Sequence, residues 1–108
     1  MNLFKTLRRK YIIWQYKKHN RNIIEGISIT AFTALIDQYH EQGWEVSSNT
    51  TLVLDGTKAW HGKLRKGSIC LLCDWALANK GSIVGPARVM KGVSSELNMP
   101  IQIHPHFN

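Results

Sequence analysis

Two cysteines three positions apart, Cys70 and Cys73, and two histidines two apart, His104 and His106, are the residues whose types and spacing could hold a metal. A zinc knuckle or a redox pair needs two thiolates turned toward one point, which a tight turn or a helix start provides. Here the intervening residues are Leu71 and Leu72, within a pattern that predicts a strand. A step of three along a strand sends the two thiols to opposite faces. Cysteine acting as a small buried apolar residue accounts for both. His104 and His106 would project the same way from a strand, and His61 or the cysteines could complete a tetrahedron. The pair flanks Pro105 close to residue 108, where a solvated tail is expected. The reading is therefore no metal and no cofactor, with Cys70, Cys73, His104 and His106 as the candidates against it.

Catalysis would need a nucleophile with a base, paired carboxylates or a cofactor cradle. Glu45, Asp55, His61 and Asp74 could act together only if a sheet brought them to one place. The sequence has no nucleophile elbow, P-loop or dinucleotide fingerprint. Gly81 to Pro86, followed by Arg88, predicts a turn and a helix start whose free N–H groups could meet a phosphate. The expectation is a protein that is not an enzyme.

Charge is more specific. The formal charge of +7 is equalled by the first 21 residues alone, where Lys5, Arg8, Arg9, Lys10, Lys17, Lys18 and Arg21 occur with no acid. From Asn22 to Asn108 seven bases balance seven acids. Such a one-sided segment implies an anionic partner. With Trp14 among them, these cations are the expected partner-binding residues. An acidic protein or an anionic membrane surface is the first expectation, with apolar side chains entering the interface and cations meeting headgroups. Nucleic acid is the alternative, supported by a second basic cluster at Lys63, Arg65 and Lys66. A small enzyme is the third choice. The plain alternative is a core helix with a basic solvent face.

The elements that must position these groups fit one domain, since 108 residues suffice for one core and are too few for two. An apolar fraction of 44% and a charged fraction of 19% are those of a folded globular chain. No apolar run has the length needed to cross a bilayer. The basic start is followed by only four apolar residues, Tyr11 to Trp14, before Gln15, which is not the pattern of an export signal. Two free thiols then suit a reducing compartment. The expected location is cytoplasmic, with a membrane-peripheral position open to the basic helix.

Residues 1–21 predict a basic amphipathic helix. Leu3, Phe4, Leu7, Tyr11 and Trp14 form one stripe, while Ile12, Ile13 and Tyr16 make a second apolar side. A helix apolar on two sides meets two things, one of them this domain's sheet. Asn20 to Gly26 reads as a break within a 22–43 segment assigned to a second helix, capped by Ser28 or Thr30 and ended by Gly43. Residues 44–85 predict an antiparallel meander with strands at Trp44 to Val46, Thr51 to Leu54, Ala59 to Arg65, Ser68 to Trp75 and Ser82 to Val84. A C-terminal helix over 86–98, with Pro86 at its first position, precedes a 99–108 tail that holds an edge strand at Ile101 to Ile103. The fold class is α+β, a single domain with an antiparallel sheet of four or five strands packed by two N-terminal helices and one C-terminal helix.

Overall fold

Alternation of apolar and polar residues makes the centre of the sheet, and a computed structural model describes residues 3–48 and 54–106 of it and its surroundings. In chain order these are α1 (Leu3–Lys18), β1 (Arg21–Ile27), α2 (Ile29–Glu41), β2 (Glu45–Ser48), β3 (Trp60–Lys66), β4 (Ile69–Ala76), β5 (Lys80–Pro86) and α3 (Ala87–Leu97). The sheet order is β1-β5-β4-β3-β2, with every neighbouring pair antiparallel. The α+β class, the antiparallel sheet and the helices at both ends of the chain agree with the sequence, and the strands among the described residues number five. Because β1 and β2 occupy opposite edges, α2 must cross the sheet between them.

On β4, Leu71, Cys73 and Trp75 face inward and are buried, while Cys70, Leu72 and Asp74 face the other way. Two-residue periodicity carries this division across the paired strands. The inner face is covered by α2 through Phe32, Leu35, Ile36 and Tyr39, and by α3 through Met90 and Val93. Gly67, with φ of 61°, opens the tight turn between β3 and β4 and fixes Lys66 opposite Ile69. Ser28 caps α2 by accepting from the Ala31 N–H at 3.2 Å.

The segment assigned to a break before the second helix is a strand. Residues 21–27 pair with β5, and the register slips between Ile24 and Ile27. A bulge at Glu25 and Gly26, the latter at φ of 74°, turns both isoleucines into the core and erases the alternation that would reveal a strand. Helix α2 therefore begins at Ile29 rather than near residue 22. Pro86 is the residue before α3, not its first helical one, because it still belongs to β5. The expected edge strand at Ile101 to Ile103 contracts to a bridge between Ile23 and Gln102, with N–H to C=O bonds of 2.9 and 2.8 Å. It covers part of the β1 edge. Of the expected strand at Thr51 to Leu54, residues 51–53 lie outside the described residues and Leu54 is not in a strand.

Candidate functional site

Helix α1 has no fully buried residue, yet its two apolar sides have different fates. Ile12, Ile13 and Tyr16 are half-buried, and α1 contacts β1. Burial raises the Tyr16 phenol above its ordinary range; Arg21 opposes that shift, and Glu25 and Asp74 add to it. Those neighbours belong to β1 and β4, so Tyr16 lies over the outer face of the sheet. The opposite side of α1 carries Leu3, Phe4, Leu7, Tyr11 and Trp14, all between 52% and 82% exposed. At about 100° per residue they occupy one stripe roughly 100° wide. Tyr11 and Trp14 stack at 6.1 Å, and Lys18 Nζ lies 4.7 Å from the Trp14 ring centre.

Of the cations predicted to bind a partner, three flank this stripe, Lys18 continues it toward the end of α1, and Lys5 is on the side of Ile12 and Tyr16. Lys5, Arg8, Lys10, Lys17 and Lys18 are exposed on α1, whereas Arg9 is half-buried. On the helical wheel Lys10 and Lys17 flank one margin of the stripe and Arg8 the other. Arg21 departs from the expectation of a helical residue: it is the first residue of β1 and stands beside Tyr16. No helix among the described residues is long and apolar enough to cross a membrane.

The second basic cluster divides. Lys63 pairs with Leu72 and Arg65 with Cys70, so both stand on the outer face, the face that α1 meets. Lys66 instead donates to the Gln42 carbonyl at 3.1 Å, next to the end of α2. There its charge suits the negative end of the helix. The outer face also holds a cleft of about 310 Å³ lined by His19, Arg21, Ser68, Cys70, Leu72 and Val84, among others. A smaller one of about 240 Å³ adjoins it at Leu72 and is lined by His61, Lys63 and Asp74.

His61 and Asp74 form a pair the sequence did not single out as such, with Nδ1 to Oδ1 at 2.6 Å. Counting outward from the turn at Gly67 sets them opposite each other, so the signal lay in the hairpin register rather than in either residue. Glu45 and Asp55 are not brought to them by any contact: Glu45 is opposite Arg65, and Asp55 accepts from the N–H and hydroxyl of Thr57.

The four metal candidates remain apart. Cys73 is buried on the inner face and Cys70 is half-buried on the outer one, as strand geometry requires. His104 and His106 are not on a strand; His104 Nδ1 approaches the Pro105 carbonyl oxygen at 2.7 Å, and the His106 N–H donates to Glu25. Among the described residues no three His, Cys, Asp or Glu side chains converge on a common point.

Burial, followed by nearby Asp74 and Cys70, pushes the Cys73 thiol from 9.0 up to about 12. In mildly alkaline buffer an alkylating reagent is expected to modify Cys70 in the native protein and Cys73 only after unfolding, as peptide mass analysis would show. The same shift makes the fold sensitive to base. Above about pH 9 the unfolded thiol loses its proton while the native one retains it, so stability falls as pH rises toward 12. Rapid native alkylation of Cys73 would contradict this arrangement.

No protein-family model matches the sequence, and neither the curated proteins nor the solved structures show a significant match.

Proposed function

We propose that the protein is a non-catalytic interaction module whose α1 lies on an anionic membrane surface. The observation that carries this reading is the exposed stripe of Leu3, Phe4, Leu7, Tyr11 and Trp14 on the side of the helix turned away from the fold. A contiguous row of large apolar side chains rimmed by charge marks an interaction surface. Its occupant must accept apolar groups along the middle and cations along the margins. A membrane interface does both: the stripe enters the acyl boundary, and Lys or Arg stems reach back to the headgroups. Each cation near such a surface contributes about 1 kcal/mol. A second copy of the chain is disfavoured as the occupant, because pairing two such helices would crowd cations on both sides with no acid in either. The location that follows is cytoplasmic and membrane-peripheral.

Nucleic acid is the second reading, favoured by Lys63 and Arg65 sharing the outer face with α1. It leaves the apolar stripe without a role beyond stacking at Tyr11 and Trp14. Vesicle flotation separates the readings. Binding is expected to rise with the fraction of anionic lipid, with Lys17→Ala weakening it about fivefold and Trp14→Glu weakening it more. Equal flotation with zwitterionic vesicles contradicts the proposal. So does a greater loss from Lys17→Ala than from Trp14→Glu, and tight oligonucleotide binding alongside that result would favour nucleic acid. Capture by an acidic protein with no response to vesicles would move the stripe to a protein groove. Point substitutions are the appropriate variants, because removing residues 1–21 would also remove Arg21 of β1 and the half-buried side of α1.

A further inference from the structure

The larger outer-face cleft has the make-up of an anion site, and we propose that it binds a phosphate monoester. His19 enters it from the turn after α1, Arg21 from the start of β1 and Ser68 from the turn between β3 and β4; Leu72 and Val84 also line it. Strand register adds two cations. Arg65 is directly opposite Cys70 and Lys63 directly opposite Leu72, which places each pair of Cβ atoms about 5 Å apart on one face. None of the residues lining the cleft is acidic. Among the described residues no carboxylate oxygen lies within 4.0 Å of the side-chain nitrogens of Arg21, Lys63 or Arg65, although Glu45 is the cross-strand neighbour of Arg65.

Arg21 lines the partly apolar cleft itself and strand register puts Lys63 and Arg65 at its margin, so these three cations outnumber the nearby carboxylates Glu45, opposite Arg65, and Asp74, which is held by His61. That local excess of positive charge favours an anion bound among them. Apolar walls with a few convergent polar donors are the ordinary make-up of a small-ligand cleft, and about 310 Å³ is at the lower end of the usual range. A guanidinium offers two parallel N–H donors to phosphate oxygens. A monoester matches the site better than a diester because it carries a charge of about −1.5 to −2 near neutral pH. The small volume suits phosphate bearing a short organic group. This inference does not rest on the membrane reading, since the cleft is on the sheet and the apolar stripe is on the far side of α1.

The test is a titration of the isotope-labelled 108-residue chain with inorganic phosphate and with glycerol phosphate, followed by amide NMR. Saturable shifts are expected at Arg21, Ser68, Cys70 and Val84. Arg21→Gln and Arg65→Gln should each weaken binding about tenfold, while Lys91→Gln on α3 should leave it unchanged. Arg21 and Arg65 are both exposed, so either variant retains the fold. Shifts that never saturate, that spread over the cations of α1, or that survive both arginine substitutions would overturn the site. Vesicles of equal charge then identify the source of the phosphate. A preference for phosphatidic acid over phosphatidylglycerol that Arg21→Gln removes assigns a lipid headgroup. No preference, with the soluble titration intact, assigns a soluble phosphate monoester. Leu7→Glu leaves the phosphate titration unchanged even if vesicle binding fails, so the two proposals fail separately.

Discussion

Vesicle binding by the double variant Leu7→Glu, Trp14→Glu is expected to fall about a thousandfold, with its thermal midpoint unchanged. Both side chains are more than half exposed on the stripe, so neither supplies core packing that the fold would lose. Each is about half exposed, so transferring its remaining surface from water to an apolar phase gives about 1 kcal/mol. Each added carboxylate costs about as much again by repelling anionic headgroups, and about 4 kcal/mol together corresponds to that factor. Flotation and a thermal melt read the two halves of the prediction independently. A variant that binds like the parent shows that the stripe is not the contact. A variant with a much lower midpoint shows that α1 is held to the fold by the side assigned here to the membrane.

Phe32→Ala is expected to have the opposite signature, a loss of about 4 kcal/mol in stability with vesicle binding retained wherever the protein remains folded. Phe32 is fully buried, with its ring 6.1 Å from that of Trp60 and 6.2 Å from that of Trp75. It joins α2 to the inner faces of β3 and β4, so truncation leaves a cavity that three elements would have to close. Small domains hold only about 5 to 15 kcal/mol in total, and the loss is therefore a large share of the whole. Urea unfolding monitored by Trp fluorescence measures it. A change below about 1 kcal/mol would mean that the inner face can repack, contrary to the close core described here.

Phe32 and the stripe of α1 differ in how far the sequence makes them legible. Phe32 follows a helical spacing with Leu35, Ile36 and Tyr39, and one such face has one sensible destination. The strands β3 and β4 were equally legible, because alternation and turn residues agree along them, and the middle of β5 was legible from the loop signal before it. Helix α1 was legible as a helix but not in its orientation. Both of its sides carry apolar groups, and only the sheet shows that the Ile12, Ile13 and Tyr16 side is the one it covers. Strand β1 was hidden by its bulge, which puts Ile24 and Ile27 on one face at a spacing no regular strand allows. The His61–Asp74 pair depended on the register of one hairpin, and the cleft on register between distant segments. His19 and Arg21 meet Cys70 and Leu72 only because β5 lies between β1 and β4.

Trp14 reports directly on whether α1 enters the membrane interface. Trp44, Trp60 and Trp75 are buried, whereas Trp14 is half exposed on the stripe. A change in tryptophan emission on binding therefore reports chiefly on α1. With anionic vesicles the emission is expected to shift to the blue and to be quenched by lipids brominated along their acyl chains. Zwitterionic vesicles should do neither, and Trp14→Phe should remove the signal while flotation persists. Emission that is unchanged at saturating anionic lipid, or a response that persists in Trp14→Phe, would contradict insertion of this helix into the membrane interface.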